Sequence, residues 1–519
     1  MSLTSDALAG LQAGLLADLR RFAPELVVSG TIVLLLLCRL LKPLDRAHLG
    51  GVALGGAVAA LLALFAPALG LWPGDPSGPA FAGLLALDGL ATYLRGLLLV
   101  FLVLAVILTR LTGLPDADDS ADFYVLLFGG VLGMLVMSSA NHLLMVFLGA
   151  EMASLPGYAL SGFLKGRRTG SEAAVKYVVY GAAASGVMLF GISLLAGAAG
   201  TGHLPAVAAK FAAGVRPELA AGLLFLLVGL GFKLAVVPVQ FWLPDVLAGA
   251  CAEVGAMLAV ASKIAAAGLT LRVLLALQAA CEPVDPTLLP RTVGLGLAVV
   301  AALTATLGNL AALPQTDLKR LLAYSTIAHA GYLLMGLATL TRGGGAAVLV
   351  YLAAYLPMNL GAFAVVAVVR NRTGAETVDA VRGLLARSPG VAVALSVFLL
   401  SLLGLPPLAG FAGKFLVFEA VYDAGRGYAR QGPGWLGPVF TALLAVGVAN
   451  TVVSAGYYLK VLRAATLDET PAADEKGQPV PLGEPVVARW YLGLLAVAVV
   501  VLGVAWGPVA DLAAKAMAR

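Results

Sequence analysis

Residues 231–245 read GFKLAVVPVQFWLPD, an apolar run that holds two prolines, Pro238 and Pro244, and a single lysine, Lys233. Proline removes a backbone donor and its ring clashes with the preceding turn, so no helix can pass through this stretch unbroken. Backbone freed at membrane depth survives only where protein buries it or where it lines a wet cavity. Residues 404–414, GLPPLAGFAGK, repeat the pattern, with Pro406 and Pro407 flanked by glycines and Lys414 close behind. Two interrupted helices in corresponding parts of a chain point to inverted repeats around an ion site near the midplane.

Composition supplies the membrane. Of 519 residues, 61% are hydrophobic and only 12% charged, and the mean hydropathy is +0.97. Repeated runs of about 20 apolar residues mean transmembrane helices. Segmentation at Gly, Pro and charge places spans at 25–42, 50–72, 82–115, 121–139, 141–164, 173–198, 217–243 and 249–277. Further spans fall at 290–312, 320–340, 345–369, 390–424, 436–463 and 487–513. The stretch 82–115 is taken as one tilted helix rather than two short ones. The expected fold is therefore all-α and polytopic, with about fourteen transmembrane helices and two of them broken. Residues 1–119 form N-terminal spans, 120–465 a core, 466–486 a polar solvent loop, and 487–519 a C-terminal span. Residues 1–24 lack the basic start of a signal peptide, and a short interfacial or helical lead-in is expected there.

With fourteen spans both termini lie on one side. Setting them outside leaves a modest excess of Lys and Arg in the inner loops, among them 165–168, 370–387 and 460–489. The net charge of +5 comes from single basic residues scattered over loops, with no patch of interleaved aromatics, which excludes a nucleic-acid partner. Cys38, Cys251 and Cys281 are too few for a four-thiolate cluster, and the four histidines have no paired spacing for metal or haem. Cofactor chemistry is therefore expected in other chains.

Four ionisable residues stand alone in apolar surroundings. Glu151 is the only Asp, Glu, Lys or Arg between Asp122 and Lys165, and Lys233 the only one between Glu218 and Asp245. Lys263 is alone between Glu253 and Arg272, and Lys414 between Arg387 and Glu419. A charge at the centre of a membrane helix costs roughly 2.5–3.5 kcal/mol on insertion scales, so such residues face a bundle interior and do work there. Lysine suits proton transfer because desolvation favours its neutral form and a nearby carboxylate its charged form. Glu151 and Lys233 are the candidate pair, Lys263 the receiver and Lys414 the onward relay. Set against this, a lone lysine also serves as glue between helices or snorkels to the interface. Four such residues together favour the pathway. His329, in AYSTIAHAGYLL beside Ser325 and Thr326, is a further candidate, although a lone helical histidine is more often a satisfied core residue. Glu172 and Lys176 form an i,i+4 pair near a helix start. Asn309 and Asn450 are polar groups at apolar positions, suited to bonds across helices.

The wording of the chain then resembles a family. LGAEMASLPGYAL (148–160), SEAAVKYVVYGAAASGVMLFG (171–191), GFKLAVVPVQFWLPDV (231–246), LGNLAALPQTDLKRLLAYSTIAHAGYLLMGL (307–337), GLPPLAGFAGKF (404–415) and NTVVSAGYYLKV (450–461) are similar to the antiporter-like, proton-translocating membrane subunits of respiratory complex I. The resemblance covers roughly residues 120–465. It implies fourteen helices, two inverted five-helix repeats at about 120–280 and 288–465, and a Glu–Lys axis that moves protons. By motif it places the glutamate on Glu151 and the lysines on Lys233, Lys263 and Lys414. Lys176 and His329 match further motif positions. NADH, FMN, iron–sulfur clusters and quinone are implied in partner subunits and none in this chain. The expected setting is the bacterial inner membrane, among other membrane and peripheral subunits. Related assemblies remain open as alternatives: a multisubunit sodium/proton antiporter, a membrane-bound hydrogenase, or a non-conducting structural subunit. The pattern departs at Gln240, where the family usually has histidine, and at residues 247–253, LAGACAE, where it usually has a Tyr-Glu-Gly-Ala-Pro-Thr-Pro stretch. Glu253 thereby becomes an added carboxylate about 15 Å along the helix from Lys263.

Overall fold

The structure, a computed structural model, describes residues 14–41, 47–67, 70, 77–116, 119–164, 166–469 and 480–518. Most of the expected lead-in, Lys165 and the middle of the polar loop lie outside them. The N-terminal part comprises α1 (Ala23–Leu40), α2 (Gly50–Phe65), a hairpin of β1 (Gly78–Ala80) and β2 (Leu85–Leu87), and α3 (Gly89–Thr112). Then come α4 (Ser120–Ser139), α5 (Leu143–Ser161), α6 (Arg168–Ala199), the short α7 (Leu204–Ala212), and α8 (Pro217–Leu234) with α9 (Trp242–Gly249). The next stretch is α10 (Ala252–Cys281), α11 (Pro290–Ala312), α12 (Leu318–Ala338) and α13 (Arg342–Thr373). The chain closes with α14 (Pro389–Leu403), α15 (Ala409–Gln431), α16 (Leu436–Thr466), α17 (Val486–Val504) and α18 (Gly507–Met517).

Twelve of the described helices are long and apolar enough to cross a membrane, and α2 and α14 are shorter apolar helices. The stretch 82–115 is one helix, but it starts only at Gly89. Asp88 caps it by accepting from the Ala91 amide at 2.8 Å, and the residues before it pair in the hairpin. The last span stops at Val504, ahead of Pro508 at the start of α18. No sequence signal marked a π-turn at Met257–Ala261 inside α10. Such turns widen a helix by one residue and shift the phase of everything beyond. Lys263 lies two residues past it.

Helix α13 is buried through its middle and α12 almost throughout, and α3, α10, α14, α15, α17 and α18 pack around α13. Close approach needs small residues, because lipid supplies no hydrophobic drive between helices. At Gly331 of α12, an added Cβ would sit 2.5 Å from the Ala305 amide nitrogen of α11.

One face of the bundle is knit from basic residues and helix ends. Lys319 donates to the Ala250 carbonyl at 2.6 Å, and Lys460 to that of Gln315 at 3.0 Å. The Leu318 amide donates to Glu376, and that of Gly383 to Ala464. The opposite face carries the Asp88–Arg272 pair, in which Arg272 also donates to the Ser138 carbonyl.

Candidate functional site

Both proline-bearing stretches interrupt their helices. Helix α8 ends at Leu234, Ala235 turns left-handed at φ 56°, and α9 resumes at Trp242. The released backbone groups are met one by one. Thr304 of α11 accepts from the Val237 amide at 3.1 Å, and the Trp242 indole donates to the Phe232 carbonyl at 3.1 Å. The Leu234 carbonyl accepts from Lys263 Nζ at 2.9 Å. Helix α14 ends at Leu403, and its freed carbonyl accepts from Lys414 Nζ, also at 2.9 Å. Each lysine thus sits at the C-terminal end of a half-helix, where the helix dipole favours a cation. An ammonium there is held by a carbonyl rather than by a carboxylate, so it can give up its proton without leaving a bare anion behind.

Helix α12 spans the gap between these lysines. Lys263 also donates to the Thr326 carbonyl at 2.9 Å, and Lys414 lies 4.6 Å from the centre of the Tyr332 ring. His329 falls midway, so Thr326, His329 and Tyr332 stand one turn apart over about 9 Å of helix. His329 shares hydrogen bonds with Tyr351 at 2.5 Å through Nδ1 and with Tyr458 at 3.2 Å through Nε2. Tyr458 also bonds Ser325. Tyr355 donates to Thr326 Oγ1 at 3.1 Å and accepts from Asn359 at 2.8 Å. Asn309 links Tyr332, Asn450 and Tyr457 beside them.

The Glu151–Lys233 end is less direct. Lys233 is buried and donates to Ser154. Glu151, three residues earlier on the same helix, is half-buried and accepts from Ser185 of α6. The two therefore meet through α5 and Ser154, with no direct ion pair between them. Lys176 lies apart from this interior. It pairs with Glu172 at 2.7 Å and with Asp245 of α9 at 2.7 Å, and Asp245 also faces Arg320 at 3.2 Å. This arrangement pins the second half of the broken helix to α6 and α12.

Sequence reasoning missed Tyr351, Tyr355, Asn359 and Tyr458. Tyr351, Tyr355 and Asn359 recur every fourth residue of α13, so their polar ends share one face, and that spacing was the available signal. It also missed pairs away from those three lysines: the buried Arg95–Glu25 and Arg370–Glu253, and Lys319 with the half-buried Glu376. Among the described residues no three His, Cys, Asp or Glu side chains gather as metal ligands would. On the face opposite the basic one, a cavity of about 370 Å³ is lined by Gln278, Glu282, Thr287 and Tyr428 together with apolar residues such as Leu289 and Leu340. Beside it the Thr287 hydroxyl and amide hold the Asp285 carboxyl below its ordinary range.

Gly404 gives a local test of the second break. Its φ is +93°, and an added Cβ would stand 2.9 Å from Lys414 Cδ. Gly404→Ala should therefore cost about 1–3 kcal/mol of strain and push the ammonium off the Leu403 carbonyl. The purified variant should melt at a lower temperature in detergent than the native chain; an unchanged melt would show that this position tolerates a Cβ and that the contact is incidental.

The sequence model of the family described as NADH:quinone oxidoreductase/Mrp antiporter, transmembrane, matches residues 140–429. NADH-quinone oxidoreductase subunit N of Anaeromyxobacter sp. (strain Fw109-5) is 39% identical over 508 residues, covering 94% of each chain. A chain of respiratory complex I from Thermus thermophilus superposes with a TM-score of 0.73 at 33% identity, over 95% of this chain and 99% of that one. A chain of an archaeal respiratory membrane complex, the membrane-bound sulfane sulfur reductase, gives a TM-score of 0.80 at 21% identity over 95% and 97%, a likeness of fold alone.

Proposed function

This chain belongs to the NADH:quinone oxidoreductase/Mrp antiporter transmembrane family, and from that premise we propose that it is a proton-translocating membrane subunit of an NADH-quinone oxidoreductase. Partner subunits carry the electrons, from NADH through FMN and iron–sulfur clusters to quinone, and hold every redox group. The chain crosses the inner membrane fourteen times, in two inverted five-helix repeats flanked by N- and C-terminal spans. Its basic face is cytoplasmic and both termini are periplasmic, in keeping with the positive-inside tendency.

One observation carries the mechanism: Lys263 and Lys414 each rest on the carbonyl freed at a helix break, and a single helix connects them. A change near Glu151 shifts the balance at Lys233 between its charged and neutral forms. Lys233 and Lys263 meet at the near end of the first break, since Lys263 holds the carbonyl of Leu234, the residue next to Lys233. A proton arriving at Lys263 passes along the hydroxyls and imidazole ranged on α12 to Lys414. His329 is the natural midpoint, because an imidazole accepts at one nitrogen and donates from the other, and both nitrogens have tyrosine partners here.

The test uses the assembled complex. Tyr458→Phe keeps the ring and removes the hydroxyl between Ser325 and His329. His329→Ala removes the midpoint. Each should lower protons moved per electron several-fold with the subunits still together, and normal stoichiometry in both would remove α12 from the path. Affinity purification of the tagged chain checks the wider assignment. Recovery of flavin and iron–sulfur subunits that oxidise NADH is expected, whereas recovery of cofactor-free polytopic chains alone would move the chain to an antiporter assembly.

A further inference from the structure

The altered stretch 247–253 plays no part in the relay above, yet the structure builds something specific there. Cys251 and Glu253 open α10 on the basic face, and both are buried. Arg370, near the end of α13, donates to both Glu253 oxygens, at 2.9 and 3.1 Å. The same guanidinium reaches Asn371, whose amide donates to the Thr112 carbonyl at 2.7 Å. One step away Lys319 bonds both the Ala250 carbonyl and Glu376, at 2.6 and 2.8 Å. These contacts tie the start of α10, in the first repeat, to α12 and α13 in the second. Every residue of α10 from Ala252 to Leu274 is buried, and the residues between Glu253 and Ser262 carry no polar side chain. Phe363 packs against Gly255 behind the ion pair. The direct way from the basic face down α10 to Lys263 is therefore lined by apolar side chains, and a charge pair stands at its mouth.

We propose that the Glu253–Arg370 pair is a lock that closes the seam between the two repeats to water, so that Lys263 exchanges its proton through its neighbours at the helix break and on α12 and not directly with the aqueous phase at the basic face. The proposal rests on the relay described above for what Lys263 does. The seal itself is a property of the resting structure. A bidentate Arg–carboxylate pair suits the task because it is planar and directional and satisfies both partners at once. Breaking one partner of such a pair leaves a buried charge that must draw in water or move. Replacing both partners by apolar residues of similar volume leaves no such charge, and is often neutral.

Cys251 is a built-in reporter, since the other two cysteines, Cys38 and Cys281, are distant in sequence and resolved by peptide mapping. The whole complex is reconstituted in vesicles without NADH, and a membrane-impermeant maleimide is applied from each side in turn. In the native complex Cys251 should stay unlabelled. Glu253→Gln should let it label from the basic face and raise passive proton leak about tenfold, an amount that the loss of a buried pair readily covers. The double variant Glu253→Met with Arg370→Met should stay unlabelled and tight. Native Cys251 that labels readily would overturn the lock, as would an assembled Glu253→Gln complex with native labelling and leak. If that single variant fails to assemble, labelling of the native and double-variant complexes decides in the same way. Because none of these readings needs turnover, a failure of the pumping assignment would leave them intact and separately readable.

Discussion

Lys263→Met should leave the complex assembled and reduce proton transport and coupled quinone reduction to about a tenth of normal or less, as expected for a buried ionisable group on an ion path. Methionine has nearly the length of lysine, so packing around α10 survives. The Leu234 and Thr326 carbonyls lose their donor, at about 1–3 kcal/mol for each group left unpaired. Against that, the burial of a charge disappears. Lys263→Arg separates structure from chemistry. A guanidinium can still donate to both carbonyls, but it stays protonated in proteins. If the lysine only bridges two carbonyls, the arginine variant should work. If it must release its proton, arginine should fail as completely as methionine. The measurements are NADH-driven quinone reduction and acidification of inverted vesicles, with subunit content read on native gels. A normal proton-to-electron ratio in either assembled variant would sink the relay.

Glu151→Gln should have the second largest effect, a loss of coupled activity approaching about tenfold. Glutamine can keep a bond to Ser185, the present partner of the carboxylate, so the local shape holds. What goes is the negative charge that favours the protonated form of Lys233 on the neighbouring helix. Glu151→Asp keeps that charge one methylene further back and should retain much of the rate. Equal loss in both variants would point to packing rather than charge. Full activity in Glu151→Gln would place the carboxylate outside the mechanism.

The buried lysines Lys233, Lys263 and Lys414 were legible in the sequence because each breaks an apolar run, and isolation of a charge in a membrane span is a one-dimensional signal. The helix breaks were legible for the same reason, since Pro238 and Pro406–Pro407 act locally. What each break is for was not. The meeting of Lys263 with Leu234 joins two helices, and nothing in either segment announces it. Tyr351, Tyr355 and Tyr458 read as aromatic core, because a tyrosine ring packs as phenylalanine does and only its neighbours show where the hydroxyl points. Glu253 was noticed as an oddity, but its partner Arg370 lies 117 residues away. Its role as a structural pair could emerge only from the fold. Residues 82–87, the turn and second strand of the hairpin, were absorbed into the span 82–115 because they are as apolar as those of α3.

Helix α13 has a consequence for how the protein is made. It is surrounded on all sides and carries Tyr351, Tyr355 and Asn359 inward, while α17 and α18, at the far end of the chain, form part of its covering. During synthesis α13 must leave the translocon before that covering exists. For that interval its hydroxyls and amide lack the cover that α17 and α18 give it in the finished fold. Chains cut short before residue 486 should therefore be recognised and degraded by membrane proteases, however well their earlier helices insert.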